Sequence, residues 1–164
     1  MNEQYYLERG SIYVSGEGAV QTVLGSCVSV CLWDAALRCG GMNHFVYPQT
    51  TDREQATPQY GNVATLALVR MMLEEGCTTR TLSAHILGGG HPDGDADSTG
   101  SRNVEVARKV LRDKGITVAS EDVGGSVGRK IVFELATGNV AVLKVNKIRA
   151  DDWIDDGLGR VRQG

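Results

Sequence analysis

Short stretches of alternating apolar residues, separated by glycine-rich turns, most limit what this chain can fold into. The segments Ser11–Ser15 and Ser26–Trp33 have strand patterns, and the second puts Cys27, Ser29 and Cys31 on one face. Further strands are predicted at 42–47, 81–87 and 116–119, with a hairpin made by 130–135 and 139–145. The 21 glycines against three prolines supply the turns between them.

Two segments have helical periodicity. Asn62 is predicted to cap a helix over 63–75, and Asn103 a helix over 104–114. Because strands separate the helices without regular β-α-β alternation, we expect an α+β fold, a β-sandwich or mixed sheets flanked by helices. We expect one domain over 1–164, with its core at about 11–145 and a charged tail at 147–164.

Charge and hydropathy exclude several classes of partner. The chain has 17 Lys+Arg against 20 Asp+Glu and no basic cluster, which argues against binding to nucleic acid or an anionic membrane surface. No apolar run reaches the ~20 residues of a membrane span, and the first six residues lack a signal-peptide layout. We therefore expect a cytoplasmic protein without membrane insertion, whose four cysteines are reduced thiols.

Cys27 and His44 form the sharpest candidate for chemistry. A cysteine is nucleophilic as the thiolate, which needs a neighbouring base or an electropositive backbone pocket. If the strands that hold these two residues are adjacent, the thiol and the imidazole meet across the pair. Gly25 lets the backbone turn tightly, so that the Cys27 amide can point at a developing oxyanion. From the residues alone, the alternative stays open that both are structural core residues.

A zinc site competes for the same residues. Cys27, Cys31, Cys39 and His44 supply three thiols and an imidazole. Structural zinc, however, usually takes paired ligands two to four residues apart, whereas three of these ligands lie along one predicted strand and its exit. We expect no metal, with Cys31, Cys39 and Cys77 as small core residues.

Two loops match ligand-binding motifs only in part. Asp93, Asp95 and Asp97 begin like a calcium loop, but Ser98 stands where glycine is needed and the final glutamate comes one place late. The glycine loop at 124–130 lacks a lysine at the P-loop position. We therefore expect no cofactor at either loop.

Six motifs occur in an order that is similar to that of one protein family. They are Leu24–Val28, Gly41–Phe45, Tyr60–Ala64, Leu87–Gly89, Gly100–Asn103, and Asp122–Gly125 leading into Gly128–Lys130. Together they resemble the CheD family, the chemoreceptor glutamine deamidases of bacterial and archaeal chemotaxis, over roughly residues 11–145.

The resemblance implies a cysteine hydrolase of α-β-β-α layering, similar to the deamidase domain of cytotoxic necrotizing factor. It also implies Cys27 as nucleophile and His44 as base. The family often has a third catalytic residue, a threonine six places before the cysteine; here Gln21 stands at that position and Thr22 follows it. We carry Thr22 as the third catalytic residue, with the carbonyl oxygen of Gln21 as the alternative that orients the imidazole.

The implied activity is hydrolysis of chosen glutamine side chains on the cytoplasmic helices of chemoreceptors, without a cofactor. The phosphatase CheC is a further partner that the resemblance allows. Two alternatives remain: a non-catalytic module that binds receptor arrays, and a transglutaminase-like acyl transferase. We expect the glycine-rich loop at 88–100 to face the substrate.

Overall fold

The computed structural model describes residues 4–146 and 153, which form nine strands and two α-helices. The strands are β1 Gln4–Tyr6, β2 Ile12–Ser15, β3 Ala19–Leu24, β4 Val28–Asp34, β5 Cys39–Asn43, β6 Leu82–Gly88, β7 Thr117–Val123, β8 Gly128–Glu134 and β9 Val140–Val145. The helices are α1 Gly61–Glu74 and α2 Thr99–Asp113, with a short 3₁₀ helix at Arg53–Gln55.

The strands form two sheets of mixed direction. One has four strands in the order β1-β3-β8-β9, and the other has five in the order β2-β5-β4-β6-β7. The β4–β5 and β8–β9 pairs are antiparallel hairpins, while β6 pairs with β7 in parallel across the intervening helix α2. Cys27 directly precedes β4 and His44 directly follows β5, neighbouring strands of the five-stranded sheet, whereas Thr22 lies on β3 of the four-stranded sheet.

Each face of the five-stranded sheet packs against its own apolar core. Cys31 on β4 and Phe133 on β8 belong to the core between the sheets. Val30, the neighbour of Cys31, faces the opposite way and packs with Leu68 of α1 and Ala107 of α2. This alternation follows from the two-residue period of a strand, and β4 is hydrophobic on both faces because both are covered.

The predicted fold class is confirmed: this is an α+β protein with mixed sheets and flanking helices. Both helices pack on the five-stranded sheet, so residues 4–146 form the layers sheet, sheet and helices, without the second helical layer of the α-β-β-α order. Neither helix in the described ranges is long and apolar enough to cross a membrane. Apart from Trp153, the predicted tail at 147–164 lies outside the described residues.

Asn62 does not cap the first helix as predicted. Helix α1 begins at Gly61 after Tyr60, which makes no side-chain capping bond. The amide of Asn62 instead exchanges two hydrogen bonds with the backbone of Thr50, at 3.1 and 2.9 Å. Its role is thus to hold the preceding loop against the helix.

The second helix begins earlier than predicted. Its cap is Ser98, whose hydroxyl oxygen accepts a hydrogen bond from the Ser101 amide at 3.2 Å. Asn103 therefore lies inside the helix on its buried face, and its side chain is used elsewhere.

Candidate active site

The ends of β4 and β5 bring Cys27 and His44 to the same space between the sheets. A two-hydrogen-bond bridge joins Val28 to Phe45 and continues the register of the β4–β5 ladder. In that register His44 lies opposite Ser29 and diagonal to Cys27. Opposite and diagonal partners of an antiparallel pair share one face and lie within reach of a long side chain. The condition that the two strands are adjacent is therefore met.

Thr22 lies against His44 from the other sheet. Its Oγ1 is 2.8 Å from His44 Nδ1 and 2.8 Å from the carbonyl oxygen of Leu7. A carbonyl only accepts, so the single hydroxyl proton goes to Leu7 and the oxygen accepts from the imidazole. This arrangement selects the tautomer with hydrogen on Nδ1 and leaves the lone pair on Nε2.

The environment of His44 keeps its imidazole neutral. The side chain is almost fully buried, and desolvation, aided by the positive charge of Arg9, lowers the pKa of His44 to about 3. Within the described residues, the buried Nε2 atom has no hydrogen-bond partner, and neither has the hydroxyl of Ser29 opposite. Nε2 is therefore available as a proton acceptor.

Three successive carbonyl groups before β4 are each held by a different donor. The Gly25 oxygen accepts from the Gly90 amide at 2.9 Å, and the Cys27 oxygen accepts from the Gly89 amide at 2.9 Å. The Ser26 oxygen accepts from Asn103 Nδ2, also at 2.9 Å. We call residues 25–27 the nucleophile loop, after the predicted nucleophile Cys27; hydrogen bonds to all three carbonyls hold its backbone in place.

The glycines at the end of β6 allow this close packing. Gly88 and Gly89 both have positive φ, and a Cβ on Gly88 would collide with the carbonyl oxygen of Cys27. A Cβ on Gly89 would collide with Val104, and one on Gly100 with the carbonyl of Gly90. The first turn of α2 therefore packs directly on the backbone that holds the nucleophile loop.

A buried arginine braces the same region from the four-stranded sheet. Arg129 donates to the Asp122 carboxylate at 2.9 Å and to the carbonyl of Gly124 at 2.9 Å. The amide of Gly124 in turn donates to the carbonyl of Gly88 at 2.9 Å. The start of the loop at 124–130 is thus tied to the end of β6 and supports the site.

The other cysteines are separated from the site or inert. Cys31 lies on the inner face of β4, whereas Cys39 and Cys77 belong to the core on the opposite side of the sheet. Cys39 therefore cannot join Cys27 and His44 around one zinc ion. Among residues 4–146 and 153, no three His, Cys, Asp or Glu side chains are grouped so as to hold a metal.

The loop at 88–100 has two parts with different surroundings. Gly88, Gly89 and Gly90 are buried, and His91 is also buried, with its amide donating to Gly125. Residues 92–97 are exposed. Only this second part has the surface position that we expect of a substrate-facing loop.

Sequence reasoning missed the role of Asn103. The sequence prediction makes it a helix cap, whereas it lies on the buried face of α2. The sequence signal for another role is that the six-motif pattern contains it. Its distances place it between the nucleophile loop and the segment after His44.

A cysteine near an imidazole that a third group orients is an arrangement that can activate a cysteine nucleophile. The family described as CheD chemotactic sensory transduction matches residues 47–144, more than half of the chain. The chain belongs to the CheD family, and the resemblance found in its motifs is confirmed.

Curated relatives are similar over most of their length. A protein of Sulfurimonas denitrificans named probable chemoreceptor glutamine deamidase CheD is 35% identical over 88% of this chain and 96% of its own. Proteins of the same kind from Anaeromyxobacter dehalogenans and Rhodospirillum rubrum are 42% and 43% identical, over 82% and 84% of this chain and 81% and 80% of theirs. A solved structure of a Neisseria meningitidis protein aligns with a TM-score of 0.48 at 13% identity, covering 94% of this chain and 76% of that one.

Proposed function

We propose that this protein hydrolyses glutamine side chains of chemoreceptors to glutamate, with Cys27 as nucleophile, His44 as base and Thr22 as the residue that orients the base. The observation that carries the proposal is the Thr22–His44 contact, which leaves Nε2 of a neutral imidazole in the space it shares with Cys27. The names of the relatives support the same reaction and the same class of substrate.

The first half of the reaction forms a thioester. His44 Nε2 takes the proton of the Cys27 thiol, and the thiolate sulfur bonds to the carboxamide carbon of the glutamine. Backbone amides near Ser26 and Cys27 stabilise the oxyanion. The carbon–nitrogen bond then breaks, and His44 returns the proton to the departing ammonia.

The second half releases glutamate. His44 Nε2 takes a proton from water, whose oxygen attacks the thioester carbon. The carbon–sulfur bond then breaks, and His44 returns the proton to the Cys27 sulfur, which restores the thiol and the neutral imidazole. Because burial disfavours an isolated imidazolium, His44 becomes charged only beside a negative charge, either that of the thiolate or that of the oxyanion. Thr22 keeps the ring in place through both proton transfers.

The decisive experiment incubates the protein with the cytoplasmic fragment of a chemoreceptor and an added primary amine. We expect receptor peptides to gain the Gln→Glu mass difference and ammonia to be released, whereas the Cys27→Ala variant gives neither. Incorporation of the amine instead of water would indicate an acyl transferase. Tight binding without any mass change would indicate a non-catalytic binding module, and either result would overturn the proposal.

The substrate helices in this proposal are the cytoplasmic ones of the receptor, so the protein acts in the cytoplasm. Deamidation adds a negative charge to the helix and creates a glutamate that can accept a methyl group. Binding of the phosphatase CheC stays a prediction from the family resemblance, to be tested by mixing the two proteins.

A further inference from the structure

Asn103 connects the two chain segments that flank the catalytic candidates. Its side chain is fully buried, and its Nδ2 group donates to the carbonyl oxygen of Ser26 at 2.9 Å and to that of Val46 at 3.0 Å. Ser26 directly precedes Cys27, and Val46 follows His44 by two residues. One amide group from α2 thus spans the place where nucleophile and base approach each other.

The backbone ladder ends at this place, which makes the side-chain connection necessary. Val28 and Phe45 exchange two hydrogen bonds, but in the next hydrogen-bonded pair of this register, Ser26 and Tyr47, the Tyr47 amide donates to Gln59 instead. The chains therefore begin to separate just where Cys27 and His44 must stay close. Asn103 supplies to the Ser26 carbonyl the hydrogen bond that a continued ladder would take from Tyr47, and its second amide hydrogen bonds Val46.

We infer that Asn103 is a positioning residue of the hydrolysis proposed above, which holds Cys27 and His44 at their working separation by bonding Ser26 and Val46 with one amide group. The inference rests on the proposed function for its catalytic meaning. A primary amide suits the task because it has two hydrogens on one nitrogen, and both partners are carbonyls that only accept.

The other end of the amide argues against a purely structural role. Asn103 Oδ1 is buried and has no hydrogen-bond partner within the described part of the chain. A buried acceptor without a partner costs stability, so such groups call for an explanation beyond packing. The two hydrogen bonds of the amide nitrogen give that explanation, because they fix the nucleophile loop relative to the base.

The test compares Asn103→Ala with Leu111→Ala. Leu111 lies on the same helix in the apolar core, and its truncation loosens the helix without removing a hydrogen bond to the carbonyl of Ser26 or Val46. A misplacement of reacting groups by about 1 Å costs on the order of 10²-fold in rate, so we expect Asn103→Ala to lower kcat at least about tenfold while KM changes less than about twofold. Leu111→Ala should lower the melting temperature and leave kcat near that of the wild type. Equal kcat in the two variants, measured well below their melting temperatures, would overturn the inference.

Two further measurements keep the inference testable on its own. If Asn103→Ala does not fold, Asn103→Ser retains one donor, and we expect it to fold with an intermediate kcat; a wild-type kcat would contradict us.

Alkylation of Cys27 by iodoacetamide follows the site without any receptor. If the wild type deamidates nothing but Asn103→Ala still slows His44-dependent alkylation, the proposed function fails and the positioning role stands. If deamidation and alkylation are both unaffected by Asn103→Ala, the positioning role alone fails.

Discussion

Thr22 Oγ1 lies 2.8 Å from His44 Nδ1, across the gap between the two sheets. Because the same hydroxyl donates to Leu7, the contact fixes both the tautomer and the orientation of the imidazole. Gln21 cannot take this part: Val20, Thr22 and Leu24 share the buried face of β3, so the side chain of Gln21 points the opposite way.

Removing the Thr22 hydroxyl is expected to impair catalysis while the fold persists. Thr22→Val keeps the shape of the side chain but leaves Nδ1 without its acceptor, so we expect kcat to fall on the order of 10²-fold, as for other changes to a group that orients a catalytic side chain. Gln21→Ala is the matched control and should deamidate at nearly the wild-type rate. The measurement is ammonia release; a low rate for Gln21→Ala beside normal Thr22→Val would reverse the assignment.

The protein is expected to lose stability in acid because His44 is buried in its neutral form. Burial and Arg9 lower its pKa to about 3, against about 6.5 in an unfolded chain, so between these values the unfolded state binds more protons. The free energy of unfolding should therefore fall as pH decreases through this window, by up to about 1.4 kcal/mol per pH unit. His44→Asn lacks the titrating group, so its free energy of unfolding, measured with urea at several pH values, should fall less steeply as the pH decreases. The same pH dependence in the two proteins would contradict us.

Cys27 is expected to be the one cysteine that small thiol reagents modify quickly at neutral pH. Burial raises the pKa of Cys31, and burial with the charge of Asp34 raises that of Cys77 to about 12, so these thiols stay protonated. Peptide mapping after brief treatment with iodoacetamide should find the label on Cys27, and less of it in His44→Ala. Preferential labelling of Cys31 or Cys77 would contradict this prediction.

Replacement of the cysteines separates structure from catalysis. Cys27→Ser and His44→Ala should fold but release little ammonia, since a serine hydroxyl is hardly ionised and a thiol without its base is mostly protonated. Cys31→Ala and Cys39→Ala should cost on the order of 1 kcal/mol and stay active, because only a small buried thiol is lost. Unfolding of all four variants, with bound zinc in the wild type, would favour a metal site instead.

Two glycines with nearly the same backbone conformation provide a test of the packing around the nucleophile loop. Gly89 and Gly94 have φ values of 67° and 68°, but only Gly89 is crowded, by Val104 and the backbone of Gly100. Gly94→Ala should cost about 1–2 kcal/mol for its left-handed conformation alone. Gly89→Ala should cost about 1–3 kcal/mol more in stability, because its Cβ overpacks this contact. It should also slow alkylation of Cys27, because the Gly89 amide donates to the Cys27 carbonyl. Equal melting temperatures for the two variants would contradict us.

Local patterns were enough to predict seven of the nine strands, including the last hairpin, and to select Cys27 and His44 as candidates, but not β1 or β3, the strand that carries Thr22. Alternation with a period of two shows which residues share a face, whereas the adjacency of the strands beside Cys27 and His44 is a condition that the sequence leaves open and the structure meets. The helix starts were wrong because Asn62 and Asn103 resemble caps in sequence, whereas their amides bind backbone groups distant along the chain.

By itself, the sequence determined the alternating faces, the α+β class and the family motifs, because these depend on neighbouring residues. It left open whether Thr22 or Gln21 meets His44, and it did not indicate that Asn103 bonds both flanks of the site. Only the tertiary structure decided these points, because each depends on which strand of the second sheet faces β5 and on how α2 docks. Such contacts join residues 22, 57 and 77 positions apart, and no local pattern encodes them.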